Sequence, residues 1–479
     1  MKLNIKIITA LFLLVLAGCV KDNSVVLSRE LDNIVIQGVA ENYVASIDDV
    51  LSIQPAIQKA FTKDADLEYL WYAYTQTSQY VADTLSKEKN LATTISMPPG
   101  TYSLVFKVTD KTTGVFYKAL STLNVVNDYT TGIIVLAEND GHATVHFLNT
   151  TSGKFIEEVY EKGNGGEIAG SEPVSVSFYP QRSQMPSEIL ILCRDQQGGV
   201  IVNPSTFTRI RTLRNSFIVP WEGEGVINTQ GYVERFSGLQ DYVIIDGKPH
   251  NRAVNSAELL FRPAMLGDFY LYPAAFNEGA TRSGFYDTRN MRFLCHNTTT
   301  GSLNPFLAGT TTSIIDPNNV GLKIVYGGKI SANEYFGVFE NAASTQRYLL
   351  AFRMNSAAQT FIARSREVLN AENIMEANAF ASSIGLSNYL FYSTGSKIYV
   401  YNLTTRNGGM LLDLGTGVNI NLLKMNGTEL KVAFTNAALP GKKGGFITYN
   451  ITTLGGITAN QKVKKEGFCD KVVDLTDKQ

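Results

Sequence analysis

A polar turn headed by Asn or Asp recurs through the last two thirds of the chain, each time after an aromatic or aliphatic run. The seven instances are Asn149-Thr-Thr-Ser-Gly153, Asn203-Pro-Ser-Thr206, Asp246-Gly-Lys-Pro249, Asn297-Thr-Thr-Thr-Gly301, Asn355-Ser-Ala-Ala358, Asn402-Leu-Thr-Thr405 and Asn450-Ile-Thr-Thr453. Their mean separation of about 50 residues is that of a four-stranded unit plus loops. A unit of this size cannot bury its own apolar faces and must stack on its neighbours. Between the markers the pattern is strand-like. In Tyr389–Thr405, two short aromatic and β-branched runs flank Ser393-Thr-Gly-Ser396, a β-hairpin. Ile398 and Val400 alternate with Lys397, Tyr399 and Tyr401, the period of a half-buried strand. Only Glu367–Ile384 approaches a helical period. The expectation is a β-propeller of about seven blades over residues 128–479, with Tyr399 and Tyr401 packing between blades.

The region before it reads differently. Ile34–Gly38, Val50–Pro55, Leu67–Tyr74, Leu91–Met97, Gly100–Thr109 and Val115–Val126 are strand-like runs separated by turn residues. Tyr102, Leu104, Phe106 and Val108 share one face. About seven strands in about 95 residues, with Trp71 on a central strand, predict an immunoglobulin-like sandwich over residues 34–127 and a core role for Trp71. The chain is therefore expected to be all-β and two-domain. A hydrophobic fraction of 44% against 18% charged residues supports packed cores rather than disorder.

Residues 1–18 combine Lys2 and Lys6 with the apolar stretch Ile7–Ala17, too short to span a bilayer comfortably. Leu16-Ala17-Gly18-Cys19 resembles a bacterial lipobox, which implies cleavage before Cys19, lipidation of that residue and a flexible tether over 19–33. Several acyl chains on one cysteine suffice for stable anchoring. Val20-Lys21-Asp22-Asn23 resembles the short signal that sends Bacteroidetes lipoproteins to the outer face of the outer membrane.

Tyr69-Leu-Trp71, Pro99-Gly-Thr-Tyr-Ser-Leu104 and Val108-Thr-Asp-Lys-Thr-Thr-Gly114 resemble the PKD-like family of Bacteroidetes surface lipoproteins. The resemblance continues into Gly132–Gly141 and the Tyr389–Leu403 hairpin. It implies a setting beside SusC/SusD-like uptake systems, with a transporter as partner and an extracellular glycan or peptide as ligand.

The residues themselves exclude more than they assign. A net charge of −1, or −3 once the two lysines of residues 1–18 are removed, is no footprint for nucleic acid. There is no Gly-x-Ser-x-Gly elbow, His-Glu-x-x-His helix or phosphate-cradling loop. His142 and His146 lie about 13 Å apart on an extended chain, too far for one metal, so neither a metal nor another cofactor is expected. Cys193, Cys295 and Cys469 read as small buried hydrophobes. Glu222 and Glu224 beside Trp221 have the composition of a sugar site but also that of a solvated loop. The irregular stretches Phe217–Gly238 and Arg252–Ser283 are long for blade loops, and they supply the candidate ligand-binding residues Trp221, Arg235, Arg252, Arg262, Tyr270, Tyr272 and Arg282. The expected function is a non-enzymatic, lipid-anchored binding or accessory protein of a nutrient-uptake system. A propeller glycoside hydrolase or lyase and a structural adhesin are the alternatives.

Overall fold

The computed structural model describes residues 31–47, 49–75, 82–182, 185–233, 240–253, 259–278, 282–297, 301–307, 311–331, 334–355 and 359–479. Strands dominate it throughout, and its contacts divide the chain at Asn127/Asp128 into two compact units. Among the described residues, no helix is long and apolar enough to cross a membrane. Cys19 lies outside them.

In the first unit, a five-stranded sheet runs in the order Asp83–Ser86, Leu67–Thr75, Gly100–Asp110, Phe116–Val126, Asn42–Ser46. Its last pair is parallel, whereas the others are antiparallel. Two further pairs, Val50–Ile53 with Leu91–Thr94 and Val35–Gln37 with Ala56–Gln58, contribute to the same core. The alternation of Tyr102, Leu104, Phe106 and Val108 puts all four side chains inside. Trp71 is fully buried, stacks on Phe106 at 4.3 Å and donates its indole N–H to the Lys89 carbonyl. The ordered fold starts before residue 34: Asp32 is 4% exposed, and its carboxylate accepts the N–H groups of Ala60, Phe61 and Thr62. Burial alone would raise its pKa, but these donors outweigh that and hold it well below the carboxylate range.

The second unit is a succession of antiparallel sheets, numbered here 1 to 7. Sheet 1 joins the last strand of this unit to its first: Lys471–Lys478 pairs with Gly132–Asn139, which pairs with His142–Asn149 and then Phe155–Ile156. Sheet 2 is Pro173–Tyr179, Glu188–Asp195, Gly199–Val202 and Arg209–Thr212. Sheet 3 is Ile227–Val233, Gln240–Ile245 and Lys248–Ala253, linked to sheet 2 through Arg194 and Asp195. Sheets 4 to 7 have four strands each and begin with Leu271–Glu278, Lys323–Lys329, Ala379–Ala381 and Val418–Asn426.

Both faces of these sheets are apolar because each packs on two neighbours. Ile191 and Cys193 of sheet 2 meet Val145 of sheet 1, while Leu190 and Leu192 meet Val243 and Ile245 of sheet 3. Sheets 3 and 4 share Tyr242, Ile244, Phe285 and Leu294; sheets 4 and 5 share Tyr286, Phe293, Phe339 and Phe352. Val338 and Leu349 of sheet 5 meet Tyr399 and Tyr401 of sheet 6, and Ile398 of sheet 6 meets Leu430 and Val432 of sheet 7. Ala433 and Phe446 of sheet 7 pack on Val135, Val472 and Leu475 of sheet 1. The strand Lys397–Asn402 is therefore buried on both faces, not half-buried: its tyrosines face sheet 5 and Ile398 faces sheet 7. Cys193, Cys295 and Cys469 are reduced and buried.

The recurrent asparagines have a common place. Asn149, Asn297, Asn355 and Asn402 end the third strand of their sheets, Asn203 follows one, and Asn450 is one residue short of the end. The Asn149 side-chain oxygen accepts the N–H groups of Thr151 and Ser152, and Asn402 does the same with Thr404 and Thr405. This side-chain mimic of a turn is what the repeat records. Asp246 is the exception. It sits with Gly247 between the second and third strands of sheet 3, both at positive φ, the two-residue turn that suits any tight hairpin.

His146 is fully buried in sheet 1, stacked near Phe155 and edge-on to Phe468, and its Nδ1 accepts the Glu158 N–H at 3.3 Å. Burial, helped by the Lys442 and Lys162 charges, lowers its pKa from 6.5 to about 3. Below pH 6.5 the unfolded chain binds a proton that the folded chain refuses, so this group's contribution is complete above 6.5 and is lost as pH falls towards 3. The expected loss from pH 7 to pH 4 is about 3 kcal/mol. Glu161, pushed up to about 7 by burial, acts in the opposite sense between pH 4.5 and 7. Urea denaturation of His146→Gln across this range should give a shallower acid decline than the parent; an unchanged slope would contradict the assignment.

Candidate functional site

Successive sheets are joined at or near their first strands by side-chain hydrogen bonds, the contact to sheet 2 from Thr229 reaching its second strand. Asp474 of sheet 1 accepts the Val176 N–H of sheet 2 at 3.0 Å and the Lys424 ammonium of sheet 7 at 2.8 Å. Thr229 donates to the Cys193 carbonyl, Gln230 to Tyr270, Tyr272 to the Val325 carbonyl, Asn378 to the Ile420 carbonyl and Asn421 to the Val472 carbonyl; Tyr326 and Ser382 share a bond of 2.8 Å. Close approach is also sterically required. A Cβ on Gly327 would lie 2.8 Å from the Phe276 ring, so only glycine lets sheet 5 come this near to sheet 4.

At the far end of these strands lies a cavity of about 680 Å³. Ala274, Ala275 and Phe276 line it from sheet 4, Gly327, Gly328 and Lys329 from sheet 5, and Asn426 from sheet 7; Arg182, Tyr335 and Gln479 complete the wall. Small side chains keep it open and leave main-chain groups at its surface. Arg182 is held in place by reciprocal main-chain bonds with Met185, and its guanidinium lies 5.3 Å from the Tyr179 ring. The Lys329 ammonium lies 5.7 Å from the Tyr335 ring, and burial lowers its pKa. Tyr335 and Phe276 are only 2% and 3% exposed, so their rings support the wall without offering a stacking face. Arg182 and Lys329 are the charged side chains of the lining. Such a wall can bind and orient a ligand.

The residues singled out from the sequence are dispersed. Trp221 is half-buried against Phe217 and His250 at the interface of sheets 2 and 3. Glu222 and Glu224 beside it are exposed, and Arg214 holds their loop by donating to the Gly223 and Gly225 carbonyls. Arg252 lies in a strand and is fully buried, paired with Glu188 and, at 3.1 Å, with Asp241; Arg211 also reaches Glu188 at 3.4 Å. Burial would lower the Arg252 pKa, but Tyr232, Glu188 and Asp241 more than reverse this. Arg262 is exposed. Tyr270 lies over Gly247 and Tyr272 is largely buried, its hydroxyl pKa pushed up to about 12. Arg282 opens a strand of sheet 4, and Arg235 lies outside the described residues. Trp221, Arg252, Arg262, Tyr270 and Tyr272 do not line the cavity.

His142 is exposed beside Ser171 while His146 is buried, and among the described residues no group of three His, Cys, Asp or Glu side chains could hold a metal ion. The cavity residues had one sequence signal: two adjacent small residues within a strand, as in Val325-Tyr-Gly-Gly-Lys329 and Pro273-Ala-Ala-Phe276.

Comparison with solved structures places the chain beside a quinonprotein alcohol dehydrogenase-like protein from Bacteroides thetaiotaomicron, with 13% identity, a TM-score of 0.47 and coverage of 92% of this chain and 97% of that one. A protein of the DUF4784 family from Bacteroides caccae aligns with 8% identity, a TM-score of 0.36 and coverage of 80% and 96%. No curated protein matches the sequence. Residues 19–173 match the PKD-like family, and over that stretch, which spans the first unit and the opening of the second, the chain is similar to it.

Proposed function

We propose that the second unit is a closed seven-bladed propeller, and that the chain is a lipid-anchored, surface-facing binding or accessory protein of a SusC/SusD-like nutrient-uptake system. The cavity at the ends of the first strands, on the axis of that ring, is where it holds its ligand. This cavity carries the reading. It draws its wall from several sheets, has the volume of a small-ligand site and lies on a rigid scaffold. The pairing of Lys471–Lys478 with Gly132–Asn139 supports ring closure, as does the sequence of shared cores from sheet 1 round to sheet 7 and back. The lipobox-like Leu16–Cys19 and the PKD-like match support the anchor and the setting. Glycoside hydrolysis needs two carboxyl groups flanking the bond, and the described lining holds no Asp or Glu side chain, so binding is favoured over catalysis.

Two measurements test this reading. Protease treatment of intact cells should remove the second unit, whereas protection until the outer membrane is opened would refute surface display. On a glycan and peptide array, residues 20–479 should capture a ligand that Ala274→Leu, which fills the cavity, no longer holds. Capture unaffected by that change would place the site elsewhere.

A further inference from the structure

We infer that the ligand is a neutral oligosaccharide, long enough to run from the axial cavity into a second cavity beside it, between sheets 7 and 1. This deepens the proposed function and rests on the axial cavity being the binding site. The second cavity has a volume of about 490 Å³. Asn426 and Gln479 line both cavities, so the two meet at these residues. Asn426 is held there by donating to Asp477 at 2.8 Å. A single sugar would occupy one cavity only. A chain of linked sugars can use both, and its second set of contacts forms at the high effective concentration that the linkage provides.

The wall of the second cavity specifies the chemistry. Thr131, Thr150 and Thr428 bring hydroxyl groups and Asn450 an amide, all able to donate and to accept. The charges of this wall balance one another. Lys431, only 1% exposed, lies between Glu429 at 3.3 Å and Asp477 at 2.8 Å, and Lys462 reaches Glu429 at 2.8 Å. Lys478 donates to the Pro204 carbonyl at 2.8 Å. Each of the two carboxylates thus meets two fixed donors. A carboxylate has about four acceptor sites, so both can also receive the hydroxyl groups of a ligand. An ionic ligand would have to compete with these pairs. A peptide is disfavoured because the described lining of this cavity has no apolar side chain against which its own could pack.

The test is calorimetric titration of residues 20–479 with neutral xylose, mannose and galactose oligomers, from disaccharide to octasaccharide. Galacturonate oligomers and a peptide of matching length are run beside them. One neutral series is expected to bind, with affinity rising at least tenfold from the disaccharide to the octasaccharide. Thr150 and Thr428 are exposed turn residues. The double variant Thr150→Leu/Thr428→Leu should bring the octasaccharide down to the affinity of the disaccharide. Thr150→Ser/Thr428→Ser, which keeps the hydroxyl groups, should recover most of that loss. Affinity independent of length, or full octasaccharide affinity in the leucine variant, would overturn the inference. If Ala274→Leu still abolished binding in those cases, the axial reading would survive. Length-dependent binding untouched by Ala274→Leu would overturn both. Preference for the galacturonate oligomers or the peptide, or no binding in any series, would also overturn the inference. Unchanged circular dichroism of each variant is the control for folding.

Discussion

Replacing Arg252 with Met is expected to destabilise the second unit by roughly 3–5 kcal/mol, measured as a lower midpoint in urea denaturation. The side chain is fully buried, its guanidinium paired with Glu188 and Asp241 and lying 4.7 Å from the Phe261 ring. Removing it leaves two carboxylates in the interface of sheets 2 and 3, with Arg211 compensating only one of them at 3.4 Å. The cost comes mainly from the charges left behind rather than from the worth of the pair itself. Adding Glu188→Gln and Asp241→Asn to the Met variant should therefore recover part of the loss. Were Arg252 a ligand-binding residue on a loop, its replacement would change affinity and leave the denaturation midpoint where it was.

Arg252 also shows why the site was harder to read than the fold. An Arg in a long irregular stretch suggests a loop cation reaching for a ligand. Nothing in Asn251-Arg-Ala253 reveals that Glu188, more than sixty residues earlier, faces it across a sheet interface. Tyr272 misleads in the same way, because its hydroxyl joins sheet 4 to sheet 5. Strand alternation, by contrast, is a local signal. It placed Trp71, Tyr102, Leu104, Phe106 and Val108 in the core of the first unit, where they are found. The polar turns were legible because an Asn side chain that substitutes for a main-chain acceptor must sit at a fixed point of the hairpin. Asp246 went astray because a tight Asp-Gly turn closes the hairpin before just as well. Short strands without strong β-branched character, such as Asn42–Ser46 and Asp83–Ser86, carried too little local signal and are fixed by pairing with stronger neighbours. The cavity is the least local feature of all. Its small residues take their meaning from several sheets meeting, and only the Gly-Gly-Lys and Ala-Ala pairs hint at it.

Removing the strand Lys471–Lys478 has the largest expected effect and tests most directly whether the second unit is one closed ring. That strand forms a ladder with Gly132–Asn139 and buries Val472 and Leu475. Asp474 ties it to sheets 2 and 7, Asp477 pairs with Lys431, and Lys478 donates to the Pro204 and Tyr129 carbonyls. Opening a ring here would expose the apolar faces of sheets 1 and 7 together and take Gln479 from the cavity lining. A chain ending at Asp470 should lose the cooperative urea transition of the second unit, while the first unit still unfolds as in the full chain. Ligand capture should disappear with it. If the shortened chain instead unfolds with the same midpoint and slope as the full one, the closed ring and the axial site built on it are wrong.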